Sequence, residues 1–592
     1  MLRRILWLCK KSLISDDMPI HNKDVADIFE QVANLLEIKG DNPFRIRSYR
    51  NVARTAGSLS KNVADLISQG EDLTRYPDIG KDLASKIEQI VKTGKLDLLE
   101  ELRKEIPGEL SELMNISGLG PKRVATIYHE LDISHPEELR KAAEAGEIRE
   151  LEGFARKTEQ NILEEAKRLV KEDTHRFKLS EAEQFTVPFV EYLKKAKGAK
   201  DIEAAGSYRR RKDTVGDLDI LATCKKGSKI MDRFVKYDDV EKVVSKGKTR
   251  STVLLRSGFQ VDLRVVPQVA YGAAMIYFTG SKEHNIAVRK IAVKKNFKLN
   301  EYGLFKGKKR IAGKTENEVY DAVGLSFIEP GLRENRGEIE AAKDGKDLPD
   351  LLTLDDIRGD LHSHTQYTDG HHTIKQMAEA ARERGYNYIA ITDHTKRLSV
   401  AGGLNAKELR KQMNEIEKVG YNIKKFTILK ASEVDIMEDG SLDLPDSVLK
   451  ELDLTVCSVH YKFGLSRKKQ TQRILKAMDN PNFNILAHPS GRLINEREPY
   501  QVDMEKIMKA AKDRGCFMEL NAHPDRLDLD DVNCRMTKEL GVKIVLSTDA
   551  HSIDGLDYMR FGVGQARRGW LEADDVLNTK SVTKLKKELK RN

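Results

Sequence analysis

Short apolar segments typical of buried strands recur between residues 357 and 570, and most of them end directly before a histidine or an acidic residue. The clearest of these segments cover residues 388–392, 426–430, 454–459, 483–487 and 543–547. Helical patterns separate them, as in residues 374–384 and 504–514. Alternating strands and helices with reactive side chains at the carboxyl ends of the strands are typical of a TIM-like barrel, whose site lies on that face. The pattern therefore predicts a barrel with a reactive mouth.

Nine positions supply the reactive side chains of this region. They are His362, His364, Asp369, His394, Glu433, His460, His488, Asp549 and His551. A single histidine is usually an ordinary core or surface residue, but nine of the fourteen histidines lie between His362 and His551. Mixed nitrogen and carboxylate ligands favour Mn²⁺ or Zn²⁺, with iron left open, over Mg²⁺. So many ligands suit two or three ions, which can generate hydroxide and clamp a phosphodiester. His523 matches no such position and is a candidate for orienting a ligand or contacting phosphate.

A second reactive stretch covers residues 206–221, G-S-Y-R-R-R-K-D-T-V-G-D-L-D-I-L. Asp217 and Asp219 alternate with apolar residues, as on a half-buried strand, so they face the same way. Two adjacent carboxylates repel each other unless a cation lies between them. The glycine turn and the three arginines before them suit a triphosphate. Asp262, in the alternating strand 260–266, is a third acid, and the three predict a two-metal Mg²⁺ site. The alternative, an acidic strand edge after a basic loop, stays open on these residues alone.

The first part of the chain is helical, with apolar residues spaced three and four apart from residue 22 to about residue 68. Residues 73–90 and 113–128 each predict a helix, a tight glycine loop and a second helix. Loop N–H groups at a helix N-terminus stabilise a phosphate, so these hairpins suit the DNA backbone. A third, looser hairpin is expected around residues 151–154. One copy could be an ordinary helical hairpin, and two copies favour the DNA-binding interpretation.

Length and composition limit the number of domains, the kinds of partner and the cellular compartment. A chain of 592 residues predicts about three or four domains. A net charge of +9 permits a polyanionic partner without proving one. The five scattered cysteines suit a reducing cytoplasm, and no apolar run approaches the ~18 residues of a membrane span. Residues 1–17 are excluded from the fold as an expected mis-called extension, and residues 331–356 are predicted to be a polar linker. Residues 576–592 form a basic tail, which from Lys580 is predicted to be a solvated helix, with a phosphate contact as the alternative.

Several ordered motifs over residues 20–328 resemble the family X DNA polymerases, of which DNA polymerase beta is typical. They are G-S-Y-R-R, V-G-D-L-D, V-D-L-R-V-V-P, Y-F-T-G-S and N-E-Y. The resemblance implies that Asp217, Asp219 and Asp262 bind two metal ions. It implies contacts with the dNTP at Gly206, Ser207, Arg210, Gly216, Tyr277, Phe278, Gly280, Asn285 and Arg289. It implies DNA contacts at Gly80, Gly118, Gly120 and Lys122, and leaves K⁺ or Na⁺ open at those loops.

The same resemblance places Lys86 at the family's lyase lysine, which forms a Schiff base with an abasic-site sugar. A phosphate contact is the equal alternative for Lys86. Three positions depart from the family pattern. Asp78 stands where the first hairpin loop usually has glycine, which is expected to weaken its hold on phosphate. Val215 replaces a serine and Lys282 an acid, which puts nucleotide selection in doubt but not the chemistry.

Residues 357–570 resemble the polymerase-and-histidinol-phosphatase (PHP) domain, with all nine of its ligand positions filled. The resemblance implies a distorted (β/α)7 barrel that works as a phosphoesterase. The expected order is an N-terminal helical domain (18–105), helix-hairpin-helix fingers (106–174), an α+β nucleotidyltransferase palm (175–270), a thumb (271–330), the linker, the barrel (357–575) and the tail.

Together the motifs predict a cytoplasmic, monomeric DNA repair enzyme that acts on gapped or nicked DNA and dNTPs, without a membrane partner. It would fill short gaps and remove 3′ nucleotides, with incision at abasic sites and removal of 3′-end blocks left open. One alternative is a gap-binding scaffold with a silent palm and an active phosphoesterase. A third interpretation has the barrel hydrolyse a small phosphate metabolite.

Overall fold

A computed structural model describes residues 20, 22–59, 63–76, 78–106, 110–113, 116, 119–151, 153–156, 158–163, 176–343 and 348–590. The predicted extension at residues 1–17, together with Gly118 and the side chain of Lys122, lies outside the described residues. The chain forms two compact units. The first contains the described residues up to 163 with 238–241 and 255–258, and the second contains the other described residues. Among the described residues, no helix is both long enough and apolar enough to cross a membrane.

The first unit is helical. Its described helices are α1 (Asn22–Lys39), α2 (Pro43–Ser58), α3 (Val63–Ser68), α4 (Lys81–Thr93), α5 (Asp97–Glu105), α6 (Leu110–Leu113), α7 (Pro121–Leu131) and α8 (Pro136–Ala145). One apolar cluster joins residues 20–102, with Val25, Phe29 and Val32 fully buried. These three are spaced four and three residues apart, so they form one face of α1. A second cluster, centred on Val124 and Ile127 of α7, covers residues 110–162.

The second unit begins with a five-stranded sheet that has the strand order β2-β4-β7-β6-β5. The strands of this part are β1 (Phe177–Lys178), β2 (Ala199–Ala204), β3 (Thr214–Val215), β4 (Asp217–Cys224), β5 (Val240–Lys246), β6 (Arg250–Leu255) and β7 (Gln260–Val265). The helices are α9 (Leu179–Lys194), α10 (Gly206–Arg209) and α11 (Ile230–Phe234). β4 pairs in parallel with β7, and β1 pairs antiparallel with β3. This is the predicted palm region.

The next part contains α12 (Tyr271–Thr279), α13 (Lys282–Lys294), the antiparallel strands β8 (Lys298–Asn300), β9 (Gly303–Lys306) and β10 (Lys309–Ala312), and α14 (Glu316–Val323). It continues into α15 (Glu338–Ala342), where Ile339 and Ala342 are buried in the same apolar cluster as α14. Arg333 is fully buried just before α15. The prediction of a polar linker is therefore wrong for residues 331–342, because this stretch completes the thumb core.

Seven parallel strands follow one another around the barrel in chain order. They are β11 (Gly359–Asp360), β12 (Tyr388–Ile391), β13 (Thr427–Asp435), β14 (Leu454–Ser458), β15 (Ile485–Leu486), β16 (Phe517–Asn521) and β17 (Ile544–Ser547). A bridge between Ser363 and Ala550 joins the extensions of the first and last strands. The helices are α16 (Ile374–Glu383), α17 (Ala406–Asn422), α18 (Asp446–Leu449), α19 (Arg467–Met478), α20 (Met504–Arg514), α21 (Asp531–Leu540) and α22 (Met559–Arg568). The predicted (β/α)7 barrel is confirmed.

The chain ends in α23 (Val582–Leu589). Leu585 and Leu589 are buried, in one apolar cluster with Tyr388, Leu429 and other residues of the strands. Lys586 pairs with Asp453 at 2.9 Å. The prediction of a solvated helix is wrong, because one face of α23 is part of the barrel core.

Candidate functional site

The nine predicted metal ligands of the barrel converge at the carboxyl ends of its strands. Their ligand atoms form three groups, and within each group the atoms lie within 4.8 Å of one another. One group contains His364, Asp369, His394 and His551, the second His362, His364 and Asp549, and the third His394, Glu433 and His460. The ninth residue, His488, has its Nε2 3.0 Å from Oε1 of Glu433. His364 and His394 each belong to two groups, which fits a cluster of neighbouring ions.

The side chains fit metal binding by their orientation as well as their type. The Nε2 atoms of His362 and His364 face each other at 3.1 Å. His364 is fully buried, and its Nδ1 has no hydrogen-bond partner among the described residues. A buried nitrogen without a partner is costly unless a ligand uses it. The donor set of imidazoles and carboxylates therefore fits divalent cations.

The electrostatics of the cluster are strongly coupled. Burial alone would lower the pKa of His362, but Asp549, Glu519 and Glu433 raise it well above its usual value. The pKa of His364 moves the other way, to about 4, because it is buried and lies beside His551 and His394. Glu433 is buried, yet His394, His460 and His362 hold its pKa well below the usual range. Opposite shifts in adjacent groups are typical of a functional site.

Two acids that sequence reasoning missed support the ligands. Oε1 of Glu519 lies 2.6 Å from Nδ1 of His362, and its Oε2 accepts the backbone N–H of His488 at 2.6 Å. Oδ1 of Asp435 lies 3.2 Å from Nδ1 of His460. Such contacts fix the tautomer of a ligand histidine and direct its other nitrogen to the metal. The sequence carried a signal for both, since Glu519 stands among apolar residues of β16 and Asp435 lies two residues after the ligand Glu433 on β13.

His523 contacts none of the nine ligands directly. Its ring packs edge-on against Tyr558 at 4.9 Å, and its Nδ1 accepts the N–H of Asp525 at 3.3 Å. Burial lowers the pKa of His523. Arg526, three residues later, lies closer to the cluster, with its Nε 3.5 Å from Oδ2 of Asp549.

The palm acids lie on two adjacent parallel strands. Asp219 of β4 is directly opposite Asp262 of β7, and Asp217 is on the same face of β4. Burial, and then the charges of Asp217 and Asp262, raise the pKa of Asp219 to about 7. Burial and Asp262 also raise the pKa of Asp217. The raised pKa values of Asp217 and Asp219 fit a bound cation, since it would relieve the repulsion between the carboxylates.

The palm carboxylates are less closely grouped than the barrel ligands. Among the described palm residues, no three acidic or histidine side chains form a group as close as those in the barrel. The Asp262 carboxylate accepts a short hydrogen bond from the Thr252 hydroxyl, and the Nε of Arg250 lies 3.5 Å from it. Cation binding therefore requires Asp262 to share its carboxylate with these partners.

Of the predicted dNTP contacts, Gly206 lies directly beside a palm acid. Gly206 has a φ of +62°, and a Cβ on it would lie 2.9 Å from Oδ2 of Asp219, so only glycine fits there. Ser207 is in the following turn of α10. A Cβ on Gly216 would meet the guanidinium of Arg176 at 2.9 Å, and one on Gly280 would meet that of Arg210 at 3.1 Å.

The remaining contacts form a second patch on α12 and α13. The Asn285 side chain donates to the Tyr277 carbonyl at 2.8 Å, and the Arg289 guanidinium lies 5.0 Å from the Tyr277 ring. Phe278 packs edge-on against Tyr277 at 4.9 Å. The structure brings these four side chains together, and their contact with a dNTP stays a prediction.

Each of the three arginines after Ser207 forms an ion pair with a glutamate. Arg209 pairs with Glu316 at 2.6 Å, Arg210 with Glu334 at 3.0 Å and Arg211 with Glu183 at 3.3 Å. A phosphate would therefore compete with these carboxylates, and the predicted contact of Arg210 with the triphosphate stays a prediction.

In the first unit, Gly80 and Gly120 are the N-cap residues of α4 and α7. Neither helix start has a side-chain cap, and a Cβ on either glycine would meet no atom within 4 Å. Asp78 adopts a left-handed φ of 57° and accepts the Asn51 amide at 3.1 Å. Lys86 lies on α4 and pairs with Asp82 at 2.5 Å.

Models of five protein families match the chain. They are a helix-hairpin-helix domain (residues 20–96), a SAM-like helix-hairpin-helix tandem (110–168), the DNA polymerase beta palm (176–261), the DNA polymerase beta thumb (274–334) and the PHP domain (360–523). These matches confirm the resemblance to the family X polymerases and to the PHP domain.

Relatives match the whole chain or its parts. The DNA polymerase/3′-5′ exonuclease PolX of Bacillus subtilis is 35% identical over 577 residues, which are 97% of this chain and 100% of the relative. A probable phosphatase of Thermoanaerobacter sp. is 32% identical over 39% of this chain and 94% of its own length. DNA polymerase lambda of Arabidopsis thaliana is 24% identical over 53% of this chain and 62% of its own length.

Proposed function

The chain belongs to the family of the DNA polymerase/3′-5′ exonuclease PolX, and on that premise we propose that it fills short gaps in DNA repair and removes nucleotides from 3′ ends. Its substrates would be gapped or nicked DNA and dNTPs, bound by a monomer. One observation supports the two activities above all others. A complete set of palm acids and a complete set of barrel ligands occur in one chain, at separate places in the fold.

In the palm, Asp217, Asp219 and Asp262 would hold two Mg²⁺ ions. Bound there, these ions would supply the charge that activates the primer 3′-hydroxyl and neutralises the triphosphate. The backbone at Gly206 lies beside the carboxylate of Asp219, and the backbone N–H groups of this turn and the Ser207 hydroxyl would contact the triphosphate. Arg210 would contact the triphosphate, and Tyr277 and Phe278 would check the sugar.

In the barrel, the nine ligands would hold two or three Mn²⁺ or Zn²⁺ ions, which supply a nucleophilic hydroxide and a Lewis acid when bound. Glu519 and Asp435 orient His362 and His460. Arg526, beside Asp549, is placed to contact the scissile phosphate. The expected reaction is phosphodiester hydrolysis at a 3′ end, with abasic-site incision as a related activity.

In the first unit, the uncapped helix starts at Gly80 and Gly120 would bind phosphates of the DNA backbone, with K⁺ or Na⁺ as a candidate at each loop. Gly118 and Lys122 would complete the second loop. Lys86 would be the lyase nucleophile or a phosphate contact.

The test is extension of a primer across a short gap with Mg²⁺ or Mn²⁺, on full-length protein. Template-directed filling supports the polymerase. Tight binding of gapped DNA without any extension would instead identify a scaffold with a silent palm.

A second candidate exists for the barrel alone, since one matching relative is named a probable phosphatase. Turnover of a 3′-recessed oligonucleotide is compared with that of a sugar phosphate at equal concentration. Preference for the oligonucleotide supports nuclease action, and preference for the sugar phosphate would replace it with metabolite hydrolysis.

A further inference from the structure

The palm loop that precedes Asp217 is held by side chains of the barrel. Arg568, at the end of α22, has only 2% of its side chain exposed. Its NH1 donates to the Arg210 carbonyl at 2.9 Å and to Oε1 of Glu334 at 3.0 Å. Its NH2 pairs with Asp531 of the barrel. One barrel arginine therefore fixes both the backbone of Arg210 and the carboxylate that Arg210 contacts.

A second barrel arginine holds the other end of the loop. Arg492 follows the barrel ligand His488 by four residues, and Asp213 precedes the palm acid Asp217 by four. NH1 of Arg492 pairs with Oδ2 of Asp213 at 3.1 Å. Its remaining donors bind the carbonyls of Arg526 at 2.8 Å and Leu527 at 2.6 Å. Because the guanidinium is planar and two of its nitrogens are held by barrel carbonyls, the third holds Asp213 of the loop in a defined position.

The strand beside this loop is also anchored to the barrel. Lys178 of β1 has 10% of its side chain exposed and pairs with Glu496 at 2.6 Å and Asp525 at 2.7 Å. Lys178 pairs in register with Thr214, and the Asp213 carbonyl accepts the N–H of Leu179. Removing one partner of a largely buried ion pair such as Lys178–Asp525 strongly destabilises the protein.

Glu334 links Arg210 of the palm to Arg568 of the barrel. Its Oε1 accepts from Nε of Arg210 at 3.0 Å and from NH1 of Arg568 at 3.0 Å, so two cations share one carboxylate. Without Arg568, the whole charge of Glu334 would act on Arg210 and hold its guanidinium away from an incoming phosphate. With Arg568 present, part of that charge is neutralised.

We propose that Arg568 and Arg492 of the barrel are positioning residues for nucleotide addition, because they hold the palm loop 206–216 and Arg568 shares the carboxylate of Glu334, which competes with the triphosphate for Arg210. The proposal rests on the proposed polymerase function. It assigns the barrel a second role, as a structural part of the nucleotide site, that is independent of its metal cluster.

The test is steady-state gap filling by full-length Arg568→Ala at varied dNTP concentration. The expected result is a KM for dNTP raised about tenfold with kcat changed less than about twofold, while degradation of 3′ ends is unchanged. Arg568→Lys should recover part of the loss. Arg384→Ala is the matched control, because Arg384 pairs with Asp557 at 2.7 Å entirely within the barrel.

The double variant Arg568→Ala with Glu334→Gln separates positioning from simple damage. Removing the charge of Glu334 frees Arg210 again, so the KM should return to within about threefold of wild type. A double variant as impaired as Arg568→Ala, or equal losses in both activities, would overturn the proposal. If Arg568→Ala does not fold, Asp213→Asn is the second test, because it removes only the charge of the carboxylate that Arg492 contacts. An unchanged KM for dNTP in Asp213→Asn would refute the proposal. Failure of the wild type to fill gaps would instead refute the polymerase function itself.

Discussion

Asp219→Asn should abolish a proton release that accompanies Mg²⁺ binding to the palm. Burial and the charges of Asp217 and Asp262 raise the pKa of Asp219 to about 7, from an ordinary value of 3.8. A cation between these carboxylates reverses the repulsion and lowers the pKa again. At pH 7 the metal-free protein therefore carries about half a proton on Asp219, which it loses when Mg²⁺ binds.

The assay is calorimetric titration of Mg²⁺ into wild type and Asp219→Asn, in two buffers with different ionisation enthalpies. The difference between the two proteins isolates Asp219 from any proton released in the barrel. It should be about half a proton at pH 7, close to one at pH 6 and close to zero at pH 9, where Asp219 is already ionised. Because the cation competes with a proton, the affinity for Mg²⁺ should rise from pH 6 to pH 8. An equal release from both proteins, or a release that persists at pH 9, would refute the reasoning.

Three further changes test other parts of the structure. Glu519→Gln should weaken Mn²⁺ binding to the barrel about 10- to 100-fold in a chelator competition, because a neutral amide is a weaker acceptor for His362 than the carboxylate and turns one of its two accepting oxygens into an NH2 donor; unchanged affinity would show that Glu519 does not orient a ligand. Leu585→Ala should lower barrel stability by about 2–5 kcal/mol in thermal or denaturant unfolding, since Leu585 is fully buried, whereas the exposed neighbour Lys584→Ala should have little effect. Lys86→Ala should eliminate borohydride trapping on abasic-site DNA; retained trapping with weaker binding that depends less steeply on salt would make Lys86 a phosphate contact.

The barrel site could be predicted from sequence because its geometry follows from chain order. In parallel strands every carboxyl end points to the same face, so residues such as His394 and His488 must meet once the strands are recognised. The palm acids could be predicted in a similar way, since Asp217 and Asp219 share a face of β4. Strand order was sufficient to bring the barrel ligands together, and alternation along one strand was sufficient to pair Asp217 with Asp219.

Partners far apart in the chain could not be predicted in this way. Glu334 lies 124 residues from Arg210, and no local pattern indicates that the two side chains pair. The same holds for α23, whose many lysines suggested a solvated helix although Leu585 and Leu589 are core residues. Glu519 was missed for a different reason, because a single acid in an apolar strand is equally compatible with an exposed strand edge.

The most direct test of two separate centres is to measure gap filling and 3′ degradation on the same gapped substrate with wild type, Asp262→Ala and His364→Ala. Asp262→Ala should lose nucleotide addition and keep 3′ degradation, because the barrel ligands are untouched. His364→Ala should lose degradation and keep addition, because His364 belongs to two of the three ligand groups. Loss of both activities in Asp262→Ala would contradict the assignment of two independent sites.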